Sequence, residues 1–441
     1  MTTDRPTQAQ LDAHWMPFSA NREFKADPRL LVAADGAYFT DADGRKIFDG
    51  LSGLWTSGLG HNVPEIREAV YEQLGTLDLS PSFQFGQPKS FQLAEKITDL
   101  MPGGLNRVFY TNSGSEAVET ALKIARAYWG IVGKPHKTKF IGRQKGYHGV
   151  NFGGISVGGI AANKAPFGDA LSADHLRHTL LPENKFTKGQ PPVGAHLAEE
   201  LLDLIALHDA GTIAAVIIEP MAGSGGVLPP PEGYLGRLRE ICDQHDILLI
   251  FDEVICAFGR VGANTAAEAF GVTPDMMTIA KQLTNGAIPM GATVVKQGIY
   301  DTFMGQDKPE YLLELPHGYT YSGHPVACAA GLAALAVLER DGLVARVNDL
   351  SGYFAELVHD LKQCPNIEDI RNCGFAAGLS LTHYPGEPAR RPYEVAMSMW
   401  KKGFYVRYGA DTIQLGLPFI TEKSEMDLLI NALGESLNEC A

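Results

Sequence analysis

The stretch Ile247-Leu248-Leu249-Ile250-Phe251-Asp252-Glu253 decides the fold of this chain, because it joins an unbroken apolar run to two carboxylates. A second unbroken run, Ala214-Ala215-Val216-Ile217-Ile218, lies upstream of it. Strands without polar alternation are typical of parallel sheets that helices cover on both faces. Because helical patterns alternate with such strands, the sequence predicts an α/β protein built around a mostly parallel sheet.

Recognisable elements flank these two runs. A strand at 107–110 leads through a polar turn into a long helix, and a hairpin with its turn at 42–44 precedes them. A further helix begins at Pro64. The apolar side of the long helix is predicted to carry Ala117, Ala121, Leu122, Ala125, Tyr128 and Trp129. The apolar side of the Pro64 helix is predicted to carry Ile66, Ala69, Val70 and Leu74.

The C-terminal part reads as helices with short strands at 404–407 and 412–415. The sequence therefore predicts a large α/β domain at 61–325. Both chain ends, 1–60 and 326–441, are predicted to build a smaller α+β domain.

The composition is that of a soluble globular protein with more than one domain. The chain has 441 residues, 45% of them hydrophobic and 20% charged, with a formal net charge of −14. Such an acidic balance argues against nucleic acid or an anionic membrane as the main partner. The apolar stretch at 326–338 is too short to span a bilayer, and a buried helix is expected there. With no visible signal peptide and no CxxC pair among its six cysteines, the protein is expected to be cytoplasmic.

Two strand ends carry polar groups that fit an anion and a cation. The turn at 111–116 places small residues and free N–H groups at a helix start, which suits a phosphate, although a plain N-cap explains it equally well. Asp252, after its apolar strand, could bind a metal, a hydroxyl group or a protonated ring nitrogen, or cap the next helix. A nucleotide hydrolase is disfavoured because no GxxxxGK[ST] motif occurs.

Two further positions suit a covalent group and a flat ring. Lys281 follows an apolar strand, where desolvation would make it a nucleophile, although most such lysines are simply solvated. Tyr147 and His148 stand between glycines, so Tyr147 could stack on a flat ligand, while His148 by itself is more typical of a hydrogen-bonded structural residue. Together the four positions match the needs of pyridoxal phosphate: a phosphate cradle, a ring plate, a carboxylate for the ring nitrogen and a lysine for the aldehyde.

The sequence, from Trp15 to its C-terminal segment, resembles the class III pyridoxal-phosphate aminotransferases of fold type I. Within them it resembles most closely the ω-amino acid:pyruvate (β-alanine:pyruvate) transaminases. The resemblance rests on blocks in one order: LGH at 59–61, TNSGSE at 111–116, YHG at 147–149, EPMAGSGG at 219–226, DEV at 252–254, FGRVG at 258–262, AK at 280–281 and TYSGHP at 320–325.

The resemblance implies roles for individual residues. Lys281 would form the internal aldimine with pyridoxal 5′-phosphate and shuttle the proton between substrate and cofactor carbons. Asp252 would pair with the ring nitrogen, and Val254 would pack on the ring face opposite Tyr147. The phosphate would be held by Ser113, Gly114 and Ser115, and by Thr320 from the neighbouring subunit. Trp55, Phe18 and Tyr147 would line the amine pocket, and Arg407 with Gln414 would bind the substrate carboxylate.

The implied reaction is a ping-pong transamination. An ω-amino acid or primary amine would lose its amino group to pyruvate, giving an aldehyde or ketone and L-alanine, in a homodimer or homotetramer with shared sites. Alternatives are another class III reaction (aminomutase, decarboxylase or racemase), a non-catalytic binding protein, or a serine hydrolase using Ser156 of the GxSxG match at 154–158. The sequence leaves the preferred amine, the stereopreference and the choice between dimer and tetramer open.

Overall fold

The structure is a computed structural model that describes residues 5–441. Three sheets organise the strands. In chain order the strands are β1 Leu31–Asp35, β2 Tyr38–Asp41, β3 Lys46–Asp49, β4 Leu105–Thr111, β5 Lys139–Arg143, β6 Ala173–Leu176, β7 Ile213–Ile218, β8 Leu248–Asp252, β9 Met276–Ile279, β10 Gly291–Lys296, β11 Ile367–Cys373, β12 Ala376–Leu381, β13 Phe404–Tyr405, β14 Arg407–Gly409 and β15 Thr412–Gly416.

Helices surround the sheets. They are α1 Gln8–Ala13, α2 Asn21–Ala26, α3 Ser52–Trp55, α4 Pro64–Thr76, α5 Pro88–Asp99, α6 Gly114–Ile131, α7 Phe152–Val157, α8 Ala161–Lys164, α9 Glu200–His208, α10 Tyr234–Gln244, α11 Ala266–Ala269, α12 Gln297–Met304, α13 Pro325–Arg340, α14 Leu343–Asp360, α15 Arg390–Lys401 and α16 Lys423–Glu439. Among residues 5–441, none of these helices is long and apolar enough to cross a membrane.

The central sheet has seven strands in the order β4-β10-β9-β8-β7-β5-β6. Strands β9, β8, β7, β5 and β6 pair in parallel, whereas β10 runs antiparallel to both of its neighbours. All six residues of β7 are buried, as its unbroken apolar sequence predicts. Burying each large aliphatic side chain of such a strand contributes roughly 1.5–3 kcal/mol. The α/β fold with a mostly parallel sheet is therefore confirmed.

The local predictions around this sheet are confirmed, and one predicted apolar helix face is only partly covered. The hairpin at 36–49 forms β2 and β3, and the stretch at 326–338 is a buried helix within α13. On α4, Ile66 is buried, but Leu74 is exposed in the single chain. The helix that starts at Pro64 is confirmed, and the exposure of Leu74 shows that periodicity identifies an apolar stripe but not what covers it.

The predicted single strand at 404–407 is two strands in two different sheets, so its continuity was predicted wrongly. Residues Phe404 and Tyr405 form β13, which pairs in parallel with β3 near the N-terminus. After Val406 the chain enters β14, which pairs with β15 in the sheet β11-β12-β15-β14. The pairing of β13 with β3 joins both ends of the chain. The domain boundaries at 60/61 and 325/326 stay a prediction.

The parallel strands bring distant segments of the chain to one edge. Thr111, Asp252 and Ile279 end strands β4, β8 and β9 at that edge. Glu219 directly follows β7, and Tyr147 lies four residues after β5. Ligands of α/β proteins bind at the carboxyl ends of such strands, so this edge is where a site is expected.

Candidate active site

A cavity of about 310 Å³ opens at the carboxyl edge of the central sheet. Seven of the residues predicted from the sequence lie on its wall: Ser113, Gly114, Ser115, Tyr147, Asp252, Val254 and Lys281. These residues come from four separate loops, and only the parallel register of the sheet brings them together.

Asp252 is held by three donors at the base of the cavity. His148 donates from Nδ1 to Oδ2 at 2.8 Å, and both side chains are buried. Thr278 donates its hydroxyl proton to Oδ1 at 3.1 Å, and the N–H of Val254 donates to the same oxygen at 3.2 Å. Since a carboxylate offers about four acceptor positions, one remains for a cationic N–H inside the cavity.

Lys281 lines the cavity and begins a short 3₁₀ turn directly after β9. Its φ of 49° lies in the left-handed region, a strained conformation that occurs mainly at functional sites. Burial is the main cause that lowers the pKa of Lys281, and nearby Arg407 lowers it further. The carboxylates of Asp252 and Glu219 act in the opposite direction. A lowered pKa makes the neutral, nucleophilic amine more accessible.

The phosphate cradle predicted at 113–115 is the start of α6. Ser113 caps this eighteen-residue helix by accepting the N–H of Glu116 at 3.2 Å. The first turn leaves N–H groups at Gly114 and Ser115 without an intrahelical acceptor, at the positive end of the helix dipole. A Cβ on Gly114 would lie 2.9 Å from a methyl carbon of Val254, so only glycine fits against this wall.

Glu219 supports the loop that carries Tyr147. Its carboxylate accepts the N–H of Tyr147 at 2.8 Å and that of Gly223 at 3.0 Å. Burial raises the pKa of Glu219, and the neighbouring His148 partly offsets that rise. Burial also raises the pKa of the Tyr147 hydroxyl, which Arg407 lowers in part. Arg407 is therefore close enough to act on both Tyr147 and Lys281.

The other predicted residues do not line the cavity of the single chain. Trp55 is 1% exposed, stacks near the Arg260 guanidinium and packs against Gly416. Phe18 is 77% exposed, and Thr320 lies exposed in the loop before α13. The contact of these three residues with substrate or cofactor stays a prediction.

Arg407 and Gln414 are register partners on the neighbouring strands β14 and β15. Gln414 donates from Nε2 to the carbonyl of Ser224 at 3.2 Å, which ties β15 to the loop after Glu219. Its Oε1 is buried and has no hydrogen-bond partner among residues 5–441. Neither residue lines the cavity itself, and the binding of a substrate carboxylate by Arg407 and Gln414 stays a prediction.

Ser156 is not a nucleophile, and the serine hydrolase alternative is wrong. A nucleophile elbow needs a strand, a sharp turn and a helix, but Ser156 lies within α7. Its hydroxyl donates to the carbonyl of Phe152 at 2.7 Å and accepts the N–H groups of Ala170 and Leu171, both at 3.0 Å. A buried hydroxyl engaged in this way has a structural role.

Sequence reasoning missed functional roles for His148, Glu219 and Thr278. Glu219 could have been found, because it follows the apolar run at 214–218 as Asp252 follows its own run. The prediction that His148 is a hydrogen-bonded residue is confirmed, but the sequence does not indicate that its partner is Asp252. Thr278 sits inside a strand, where no sequence signal separates an inward hydroxyl from packing.

The arrangement fits pyridoxal phosphate. A helix start with free N–H groups, a carboxylate with one open acceptor position and a lysine of lowered pKa surround one cavity, as that cofactor requires. The fold and site define a pyridoxal-phosphate enzyme. A family model described as "Aminotransferase class-III" matches residues 20–437. The chain belongs to the class-III aminotransferases, and pyridoxal phosphate is its cofactor.

Similar proteins support this assignment along the whole chain. The beta-alanine–pyruvate aminotransferase of Pseudomonas aeruginosa is 58% identical, over 99% of this chain and 97% of its own. The omega-amino acid–pyruvate aminotransferase of Pseudomonas putida is 57% identical, over 98% and 97%. A PLP-bound amine transaminase from an uncultivated Pseudomonas species has a TM-score of 0.90 at 35% identity and covers 97% and 99%.

Proposed function

We propose that the protein transfers the amino group of an ω-amino acid or primary amine to pyruvate, giving an aldehyde or ketone and L-alanine. The observation that carries this proposal is one cavity with Lys281, Asp252 and the start of α6 on its wall. The high identity to two relatives named for pyruvate transamination supports the choice of acceptor.

Individual residues would divide the work of binding the cofactor. Ser113, Gly114 and Ser115 would hold the phosphate with N–H and hydroxyl donors, and Lys281 Nζ would hold the aldehyde carbon. Tyr147 and Val254 would face the two sides of the ring. When bound, pyridoxal phosphate supplies an electron sink that stabilises negative charge on the carbon next to the substrate nitrogen.

Two side chains would control protons during the reaction. Lys281 Nζ, once free, would take the proton from the carbon next to the substrate nitrogen and return it to the cofactor carbon. Burial favours the neutral form that this step needs. Asp252 would keep the ring nitrogen protonated by accepting its N–H at the remaining acceptor position. His148 and Thr278 hold the carboxylate of Asp252 in place.

Arg407 and Gln414 would recognise the carboxylate of pyruvate or of an amino acid. The guanidinium presents a planar fork that pairs with a carboxylate through two hydrogen bonds. Arg407 is half-buried at the end of a short strand, and it already acts electrostatically on Tyr147 and Lys281. Arg407 would pair with substrates that carry a carboxylate and would turn away from those without one.

The active unit would be a homodimer or homotetramer in which Thr320 reaches the phosphate site of a neighbouring subunit. Thr320 is exposed, and Phe83 lies against Gly318, two residues before it. Further exposed aromatic residues lie in the segment around Phe83, namely Tyr71, Phe85 and Phe91, and exposed Tyr321 follows Thr320 directly. Exposed apolar surface of this kind marks association sites, so a second copy of the chain is the expected partner.

The cytoplasm is the proposed location. Its support is chemical: the six cysteines are free thiols, which persist in a reducing compartment.

The experiment is an amine panel with pyruvate as acceptor and alanine as the readout. β-Alanine, longer ω-amino acids and aryl amines should be compared, with both enantiomers of the chiral amines. Alanine formation with at least one donor supports the proposal. Loss of carboxylate as carbon dioxide, inversion of the amino acid, or an intramolecular amino shift without alanine would instead identify a decarboxylase, a racemase or an aminomutase.

A further inference from the structure

A chain of hydrogen bonds joins the loop before α13 to the helix that starts at the phosphate cradle. Lys123 Nζ lies 2.9 Å from His317 Nδ1, and His317 Nε2 lies 2.9 Å from Thr120 Oγ1. Thr120 Oγ1 lies 3.3 Å from the Tyr319 hydroxyl, which donates to the carbonyl of Glu116 at 3.2 Å. Thr120, in the middle of these contacts, is fully buried, whereas Lys123 is exposed at the surface.

The two ends of this chain fix the direction of every bond in it. An ammonium group can only donate, so His317 Nδ1 accepts, and its proton must sit on Nε2. A carbonyl can only accept, so Tyr319 donates to Glu116 and accepts from Thr120. Each hydrogen bond is therefore donated in the direction from Lys123 to Glu116. This arrangement requires a neutral imidazole at His317.

Packing holds the imidazole in the orientation that the bonds need. The His317 ring is parallel to that of Phe109, with centroids 5.3 Å apart and an angle of 7°. The Tyr319 ring meets it edge-on, at 5.1 Å and 76°. Ser322, two residues beyond Thr320, donates to the carbonyl of Tyr110 at 2.8 Å. The loop is thus pinned on both sides of Thr320.

We propose that His317 is a positioning residue that holds the Thr320 loop on α6, so that Thr320 is set for a neighbouring subunit while α6 presents its own phosphate cradle. This inference rests on the proposed function, since Thr320 matters only if it reaches a cofactor across an interface. Thr320 would act on the phosphate of a neighbouring subunit, and the start of α6 would act on the phosphate of its own subunit. Helix α6 connects the two directly.

Acid should break the hydrogen bond between Lys123 and His317, because protonation adds a second donor to it. The titratable groups that face His317 are Lys123 of α6 and Tyr319 of its own loop, while β4 presents only Phe109. The carboxylates of Glu116 and Glu119 on α6 are engaged by the N–H groups of Asn112 and Gly153. Burial and Lys123 lower the pKa of His317, so the imidazole is neutral at physiological pH. Once protonated, Nδ1 becomes a donor that faces a second donor.

The test measures the rate at which the holoenzyme loses pyridoxal phosphate on dilution, by ultrafiltration and absorbance. Wild type is compared with Thr320→Ala, His317→Phe, His317→Gln and Lys123→Met. His136→Phe, at an exposed histidine outside this loop, is the matched control. Phenylalanine keeps the stacking but not the bonds, and glutamine keeps a donor for Thr120 but cannot gain a proton.

His317→Phe and Thr320→Ala should each release the cofactor about tenfold faster at neutral pH, the effect of losing a buried hydrogen bond. Glutamine should restore part of the wild-type rate. Acidification to about pH 5.5 should accelerate release more in wild type than in His317→Gln. A wild-type rate in His317→Phe beside fast release in Thr320→Ala overturns the proposal.

The remaining outcomes are also decisive. If His317→Phe fails to fold by circular dichroism, Lys123→Met and His317→Gln carry the same comparison. If Thr320→Ala also releases at the wild-type rate, the role of both residues is wrong although transamination stands. Absence of alanine formation by wild type contradicts the proposed function, and the release rates still decide the role of His317.

Discussion

His148 Nδ1 donates to Asp252 Oδ2 over 2.8 Å, and both side chains are buried. The bond sets the imidazole tautomer, because an anionic carboxylate accepts and Nδ1 must carry the proton. His148 Nε2 is buried without a hydrogen-bond partner among residues 5–441.

His148→Phe should lower kcat/KM for alanine formation by roughly ten- to a hundredfold, the effect of losing a hydrogen bond to a buried charge. His148→Asn, whose amide can donate near the Nδ1 position, should recover part of the loss. Initial rates with saturating cofactor measure the effect, and His136→Phe is the control at an exposed site. Higher activity of the phenylalanine variant than of the asparagine variant would show that the ring, not the bond, matters.

Lys281→Ala should lower turnover by roughly a thousandfold or more, because the proton carrier and the attachment point are lost together. The second readout is borohydride reduction of the holoenzyme followed by peptide mass spectrometry. Wild type should carry the reduced cofactor at 281, and the variant should carry none. Lys308→Ala, in an exposed loop, should retain both properties. An adduct at another lysine would contradict this assignment.

Arg407→Ala should separate the substrates by their charge. The KM for pyruvate should rise about a hundredfold, since a charged hydrogen-bonding partner is removed. The KM for an apolar amine donor should stay within about threefold, because that donor has no carboxylate to pair. Arg390→Ala, which removes an exposed arginine paired with Glu387 and Glu394, is the control. Parallel changes for both substrates would exclude carboxylate recognition by Arg407.

Glu253 should make the fold less stable as pH rises. The buried carboxylate accepts the N–H groups of Ala266 and Ala267, and burial raises its pKa from 4.5 to about 7. The folded state therefore binds the proton more tightly than the unfolded state. Its stabilising contribution is complete below about pH 4.5 and is lost progressively up to about pH 7, a change of about 3 kcal/mol.

Urea unfolding at several pH values between about 5 and 8 measures this dependence. Glu253→Gln cannot titrate, so its unfolding free energy should change less over that range. Glu268→Gln is the control, because the carboxylate of Glu268 is exposed on α11, beside Ala266 and Ala267. An identical pH dependence in wild type and Glu253→Gln would mean that Glu253 is already ionised throughout.

The sequence by itself determined the strands and the capped helix that carry the site, because these depend on residues close together in the chain. The apolar strands at 214–218 and 247–251, the capped helix after Ser113 and the residues at their ends are encoded within a few neighbouring positions. Parallel strands share one edge, so the placement of Asp252 and Lys281 in one cavity also follows from sequence. These features depend on hydrophobic periodicity and helix capping, which act over short distances.

Only the tertiary structure decided which distant groups meet. It paired His148 with Asp252 across 104 positions, divided 404–407 between two sheets and buried Trp55 against Gly416. It also bound the His317 imidazole to α6. Such contacts depend on packing and on hydrogen bonds between buried polar groups that are far apart in sequence. The residues adjacent in sequence do not indicate either of these.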